Sequence, residues 1–161
     1  MIAKILVGVD GSEKSEKAMN YALEVAEKFS ASVLILNVFQ SHPETGNQLD
    51  TFQQAPAFGY PQETVNYPAN TASLVKDLRK IHEGILNKAL ESATKLKPAI
   101  KITAELKEGD ESSQIVETAT KGQFDLIVIG HRGNSKIEEL FLGSTSERVA
   151  HLARCAVLII K

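Results

Sequence analysis

Three glycines and a serine near the end of the chain have the spacing of a turn that binds an anion. Gly130 and Gly133 are followed, nine residues later, by Gly143 and Ser144. Glycines lack the Cβ atom that would hold an anion away from main-chain N–H groups, and Ser144 can cap a following helix. The pattern therefore predicts a phosphate-binding loop. Spacing alone leaves a second interpretation open, in which the glycines only shape a bend and break a helix.

A second turn that can bind a ligand, Asp10-Gly11-Ser12, follows the first apolar run of the chain. An aspartate just past the end of a strand can accept hydrogen bonds from the hydroxyl groups of a ligand. The same aspartate can also cap the helix that follows, or shape the turn, while it binds. Both roles remain open for Asp10 at this point.

Composition limits the classes of partner. Eighteen basic and twenty acidic residues give a formal charge of −2, so no global attraction to nucleic acid or to an anionic membrane is expected. The lone Cys155 excludes an internal disulfide. Apolar stretches are too short to span a membrane, and the N-terminal run is too short for a signal peptide. We therefore expect a soluble cytoplasmic protein with one domain over 1–161.

Predicted strands and helices alternate along the chain. The segments 13–29, 74–96, 110–122 and 144–154 have helical apolar spacing, with Asn70 or Thr71 as the predicted cap of the second helix. Strands are predicted at 5–9, 33–39, 100–107, 124–129 and 156–160. The third strand alternates apolar with polar residues, which is typical of a sheet edge. Segment 40–70 is rich in Pro, Gln, Asn and Thr, which indicates an insertion within the domain.

Regular alternation predicts an α/β fold. We expect an open, doubly wound parallel sheet of five strands in the order 3-2-1-4-5, Rossmann-like, with helices on both faces. Such sheets bind ligands at the carboxyl ends of the strands, where the strand order reverses. Both candidate turns follow the strands that meet there, the first and the fourth. Their placement favours a ligand site over a simple bend.

With both turns placed, the whole chain resembles the universal stress protein family, in its nucleotide-binding branch. The signature of that family is glycine, two residues, glycine, nine residues, glycine and then Ser or Thr. Gly130, Gly133, Gly143 and Ser144 fill every place, and 7–12 matches the first strand and turn of the family. The resemblance implies the adenine nucleotide alpha hydrolase-like variant of the fold, with ATP as ligand.

The resemblance also implies roles for single residues. Asp10 would contact the ribose, the backbone of Val38 would meet the adenine edge, and loop 130–144 would hold the phosphates, with Mg²⁺ or Mn²⁺ held mainly by those phosphates. His131 and Arg132 either reach a phosphate or point outward, and Thr145 either donates to a phosphate or only begins a helix. The implied nucleotide site comprises Val9, Asp10, Gly11, Ser12, Val38, Gly130, His131, Arg132, Gly133, Ser135, Gly143, Ser144 and Thr145.

The last predicted strand indicates how copies of the chain pair. Many relatives pair into dimers there, and the apolar segment 157–160 makes an exposed edge unfavourable, so we expect a homodimer. Ala156 stands where the family commonly has proline, which leaves the turn before this strand less rigid. The insertion at 40–70 is longer than in many relatives.

Three hypotheses for function follow. The first is a dimeric, ATP-binding regulatory module of the stress response; no Walker lysine or catalytic triad is present in the sequence, so at most slow hydrolysis or phosphate transfer is expected. The second is a scaffold that binds no nucleotide and docks proteins through the aromatic residues of the insertion. The third is an adenylating enzyme, which needs a serine turn with two glycines after the first strand; the turn 10–15 of this chain has one glycine, and an acidic residue where pyrophosphate would lie.

Overall fold

A computed structural model describes residues 1–40, 71–131 and 143–161. The chain order alternates strands with helices, as the sequence pattern predicts. The strands are β1 (Lys4–Gly8), β2 (Ser32–Phe39), β3 (Ile102–Glu108), β4 (Leu126–Gly130) and β5 (Ala156–Ile160). The helices are α1 (Glu13–Phe29), α2 (Thr71–Leu96), α3 (Glu111–Gly122) and α4 (Ser144–Leu152).

The described strands form one parallel sheet in the order β3-β2-β1-β4-β5, so the predicted fold class and strand order are confirmed. Strand β3 lies at an edge, and its alternate residues from Ile102 to Leu106 are half-buried while Thr103 and Glu105 are exposed. The strand order reverses between β1 and β4. This reversal opens a crevice at the carboxyl ends of the two strands.

Helices cover both faces of the sheet. Helices α1 and α2 pack on one face, over a core that includes Ile5, Val7, Val33 and Ile35. Helices α3 and α4 pack on the other face, over a second core that includes Leu6, Leu36, Ile127 and Ile129. The interior strands are buried on both sides, which explains their nearly continuous apolar sequences.

The first and third helices begin at side-chain caps. The Ser12 hydroxyl accepts from the Ser15 backbone N–H, and the Asp110 carboxylate accepts from the Ser113 backbone N–H. The predicted helix start at Asp110 is therefore confirmed. These caps satisfy main-chain donors that have no partner within the helix.

Two helix faces differ from the sequence prediction. The apolar spacing of 13–29 places Tyr21 and Phe29 on the inner face of α1, but these residues are 51% and 49% exposed. The inner face is formed instead by the smaller stripe Ser15, Ala18, Met19, Ala22, Leu23 and Ala26. Small residues let α1 approach the sheet closely, which turns the rings at the margin of the stripe toward solvent. The spacing of 144–154 likewise places Val149 and Leu152 on the inner face of α4; Val149 is fully buried there, whereas Leu152 is exposed.

In the described part of the chain, none of the helices is long and apolar enough to cross a membrane.

Candidate functional site

The two candidate turns meet at the carboxyl edge of the sheet. Val7 of β1 pairs with Val128 of β4, so the turn that begins after β1 and the segment that begins after Gly130 leave the sheet side by side. Gly130 ends β4 and packs against the first turn of α1. The predicted proximity of the Asp10 turn and the start of the glycine-rich segment is thus present in the structure.

Asp10 organises its own turn. Its Oδ1 atom accepts from the Ser12 backbone N–H at 2.9 Å and from the Ser12 hydroxyl at 2.6 Å. Ser12, which is buried, is the residue that caps α1, so the alternative that Asp10 is the helix cap is wrong. The aspartate instead forms a turn with the residue two positions on. Gly11 between them has a φ of +82°, a left-handed conformation that favours glycine.

The backbone of Val38 lies beyond the end of β1. The Leu36 carbonyl accepts from the Val9 N–H at 2.9 Å, and the Phe39 carbonyl accepts from Gly109 on the opposite side of β2. Because backbone groups alternate in direction along a strand, the N–H and C=O of Val38 point toward the β1 side. Strand β1 pairs with β2 only as far as Gly8 and Leu36, so these groups face the crevice.

Val9 occupies the same edge, but its polar groups are already used. Its N–H donates to Leu36, and its carbonyl accepts from the side-chain amide of Asn37 at 2.7 Å. Its side chain is 7% exposed and belongs to the core under α1 and α2. Val9 therefore contributes to this edge by fixing the position of its neighbours, above all that of Asp10.

Asn37 is a site residue that the sequence analysis missed. The side chain is 1% exposed, and both ends of its amide are hydrogen-bonded. A carbonyl oxygen only accepts, so the amide nitrogen must face Val9, and Oδ1 must accept from Nδ1 of His82, 2.7 Å away. The available signal was a lone polar residue in the otherwise apolar strand 33–39.

The glycine-rich segment is held together at its two ends. The Gly143 N–H donates to the His131 carbonyl at 3.0 Å, and the Ser146 hydroxyl donates to the same carbonyl at 2.9 Å. The His131 N–H donates to the Ile160 carbonyl at 2.7 Å, which fixes this point to the end of β5. The two residues that flank the loop, His131 and Gly143, therefore lie side by side. Predicted site residues Arg132, Gly133 and Ser135 fall between these ends, outside the described residues.

The start of α4 corrects one prediction. Gly143, not Ser144, is the N-cap residue, and no side-chain cap hydrogen bond is made there. Ser144 is the first helical residue, so the helix begins one position earlier than a cap at Ser144 would require, and Ser144 is exposed. The Ser146 hydroxyl also lies 2.9 Å from the Gly143 carbonyl, so its single proton is shared between the carbonyls of His131 and Gly143. The first N–H groups of α4 therefore receive no side-chain acceptor from the cap residue.

The first turn of α4 is tied to the start of α3. The Thr145 hydroxyl donates to a Glu111 carboxylate oxygen at 2.9 Å, and the Arg148 guanidinium donates to Asp110 at 3.1 Å. The hydrogen bond from the Ser113 hydroxyl, with further help from Ser112 and Arg148, lowers the pKa of Asp110 to about 2. Asp110 is therefore ionised at neutral pH.

The described residues contain no cluster of three or more His, Cys, Asp or Glu side chains that could hold a metal ion.

Comparisons with known proteins identify the family of the chain. The model of the universal stress protein family matches residues 1–161. The chain is 34% identical to universal stress protein MJ0531 of Methanocaldococcus jannaschii over 98% of its own length and 81% of that protein. It is 32% identical to universal stress protein YxiE of Bacillus subtilis over the full length of both.

Solved structures share the fold. Universal stress protein UspA from Lactobacillus plantarum superposes with a TM-score of 0.76 at 21% identity, over 99% of this chain and 98% of that one. A universal stress protein in complex with cAMP gives 0.67 at 23% identity, over 99% and 97%. One from Archaeoglobus fulgidus in complex with dAMP gives 0.62 at 20% identity, over all of both chains. With the full-length family match and the two relatives above 30% identity, these findings establish that the chain belongs to the universal stress protein family.

Proposed function

We propose that this chain binds ATP at the carboxyl edge of β1, β2 and β4 and acts as a dimeric regulatory module. The observation that carries the proposal is the placement of Val38 and Asp10. The backbone N–H and C=O of Val38 and the turn that carries the Asp10 carboxylate lie at the same end of the sheet, where the strand order reverses. Two structural neighbours that were solved with cAMP and dAMP support an adenine nucleotide as the ligand.

Adenine and ribose fit this edge through different groups. The N–H and C=O of Val38 supply the donor and acceptor that an adenine edge needs. Asp10 uses Oδ1 for Ser12, while its Oδ2 atom has no hydrogen-bond partner among residues 1–40, 71–131 and 143–161. In the proposal Oδ2 accepts from a ribose hydroxyl. Gly11 and Ser12 shape the turn that presents it.

The phosphates are proposed to lie between Gly130 and the start of α4. The N–H groups of the first turn of α4 lack a side-chain cap, and a helix N-terminus attracts an anion through those groups and its positive dipole end. Gly133 belongs to the family signature in the same loop, and Arg132 and Ser135 of that loop are proposed to donate to the phosphates. Mg²⁺ or Mn²⁺, when bound, neutralises phosphate charge and takes its ligands mainly from the phosphate oxygens and water.

Strand β5 is the proposed dimer edge. It ends the sheet beside β4, and Val157, Leu158 and Ile159 are only half-buried in the single chain. A second copy that pairs along 157–160 would cover this apolar edge. Because the His131 N–H donates to Ile160, the proposed interface is joined to one end of the phosphate loop.

Calorimetric titration of nucleotide-stripped protein with MgATP, and in parallel with AMP, tests the proposal. We expect saturable binding of one ATP per chain with a Kd of about 1–100 μM, or roughly −8 to −5.5 kcal/mol, and much weaker binding of AMP. Failure to bind either nucleotide would overturn the proposal and favour a scaffold without a ligand. Sedimentation of the same sample checks the dimer.

Glycine variants localise the phosphates. Gly133→Val and Gly143→Val are expected to abolish ATP binding with the fold retained. Gly84→Val is the matched control, because a Cβ at position 84 meets nothing within 4 Å and the residue lies on the exposed side of α2. Unchanged ATP affinity in both loop variants would refute the phosphate assignment, and a loss in the control would show that the effect is not local.

A further inference from the structure

One face of α2 contacts the carboxyl ends of β1 and β2 at three positions, each three residues after the last. The Arg79 guanidinium lies over the Phe39 ring, 5.3 Å from its centroid. His82 donates to Asn37 and also packs against that ring, with the ring centroids 5.6 Å apart. Residues at this spacing lie on the same face of a helix, so the contacts form one continuous strip.

The third contact is made by Ile85. A Cβ atom at Gly11 would stand 3.3 Å from both Cδ1 and Cγ1 of Ile85, so this side chain lies directly on the Asp10 turn. The side chain of Ile85 is thus packed on the neighbour of the residue that is proposed to hold the ribose. No charged group takes part in this contact, so it depends only on how the two residues pack.

Asn37 joins this strip to the nucleotide edge. It precedes Val38, the proposed adenine contact, and its amide donates to the carbonyl of Val9, which precedes Asp10. One fully buried amide therefore connects both proposed nucleotide contacts with His82 on α2. If the distance between the ends of β1 and β2 changes, the hydrogen bonds of Asn37, the packing of Ile85 on Gly11, or both must change as well.

We propose that α2 senses occupancy of the nucleotide site, with His82 and Ile85 as the positioning residues that couple the two. The inference rests on the proposed function and adds the element through which a bound nucleotide acts on the rest of the chain. A nucleotide that bridges Val38 and Asp10 fixes the two strand ends against which α2 packs. Binding of nucleotide and docking of α2 then stabilise each other by the same factor, because coupling between two equilibria is reciprocal.

Hydrogen–deuterium exchange of the full chain, with and without saturating MgATP, measures this coupling. We expect ATP to slow the exchange of amides in 76–90 by about tenfold, within the usual range for coupled sites. In His82→Leu, which removes the donor to Asn37, the slowing is expected to disappear. By reciprocity the Kd for MgATP should rise by about the same factor, tenfold.

Rescue and control variants separate coupling from simple support of the fold. His82→Asn keeps an amide donor near the position of Nδ1 and should restore both the slowing and the affinity. Ile85→Ala should weaken both through loss of packing on Gly11, and it serves as the second test if His82→Leu does not fold. Ile81→Ala is the matched control, since Ile81 lies on the same helix and is 59% exposed.

The outcomes are distinct. A purely structural role would speed exchange equally with and without ATP and leave the Kd unchanged, which would overturn the inference. Binding of ATP to the unsubstituted chain without slowing at 76–90 would overturn the inference alone. Absence of ATP binding to the unsubstituted chain would overturn the proposed function and the inference together.

Discussion

Gly130 lies directly against the main chain of Lys14. A Cβ atom at position 130 would stand 3.0 Å from the Lys14 carbonyl carbon, 3.1 Å from its Cβ and 3.2 Å from its carbonyl oxygen. Atoms of a helix backbone cannot move aside as the end of a flexible side chain can. The first turn of α1 reaches the end of β4 only because this residue is glycine.

Alanine at position 130 is therefore expected to destabilise the fold. Overpacking of this kind costs about 1–3 kcal/mol of the free energy of unfolding. Gly84→Ala is the matched control and should instead stabilise by roughly 0.5–1 kcal/mol, because the site is open and alanine favours the helix. Urea denaturation of the three proteins measures the difference. Equal stabilities for the two variants would contradict the close contact with Lys14.

The Asn37 and His82 pair is expected to contribute to stability as a unit. Each of Asn37→Leu and His82→Leu leaves a buried polar group without its partner, which costs about 1–3 kcal/mol. The double variant should lose less than the sum, because both changes remove the same hydrogen bond. Urea denaturation gives the four free energies of the cycle. Strict additivity would be inconsistent with the hydrogen bond, and exposed Asn20→Leu should change stability by less than about 0.5 kcal/mol.

The lowered pKa of Asp110 predicts that the folded chain loses stability in acid. Its pKa is about 2 in the folded chain, against an ordinary value of 3.8, first because of the hydrogen bond from Ser113. A lowered folded-state pKa stabilises the fold above pH 3.8, and this contribution is lost as the pH falls through about 2. The difference of pKa values corresponds to about 2 kcal/mol.

The variant Asp110→Asn tests this directly, because it keeps an oxygen for the helix cap and cannot ionise. Between pH 7 and pH 2 the original chain should lose about 2 kcal/mol more unfolding free energy than the variant does. Denaturation at stepped pH values measures both curves. Parallel curves would show that the carboxylate of Asp110 is not specially stabilised in the folded state.

Glu111 is expected to tune phosphate recognition at the proposed site. Its carboxylate accepts from the Thr145 hydroxyl and places a negative charge beside the first turn of α4. Glu111→Gln should strengthen MgATP binding about two- to fivefold at low salt, by removing repulsion of the phosphates, and should leave adenosine binding unchanged. Calorimetry provides both values. Glu117→Gln, also exposed on α3, is the control, and an equal gain in the control would count against a local effect.

The arrangement of the strands was predictable because the pattern of polar and apolar residues in a strand indicates whether it lies at an edge or in the interior of the sheet. Strand β3 alternates polar and apolar residues and lies at an edge, whereas β1, β2 and β4 are nearly all apolar and lie in the interior. Helix α1 begins and ends where its apolar spacing predicted. These features depend on neighbours in the sequence, so periodicity captures them.

Features that depend on distant parts of the chain were not predictable. Tyr21 fits the helical stripe of α1 but is exposed, since the close approach of α1 to the sheet favours the alanines beside it. The partnership of Asn37 with His82 depends on how α2 crosses β2, which no local pattern encodes. The cap of α4 moved to Gly143 because the glycine is held by His131, across the segment that separates them.

The buried amide of Asn37 also determines when the proposed nucleotide edge can form during synthesis. Its partners, Val9 and His82, lie 28 residues before it and 45 residues after it in the chain. Contacts between such distant residues form only after long loops close, so they come late in folding. A nascent chain that has not yet emerged as far as His82 therefore carries both predicted nucleotide contacts of β1 and β2 without the amide network that joins them to α2.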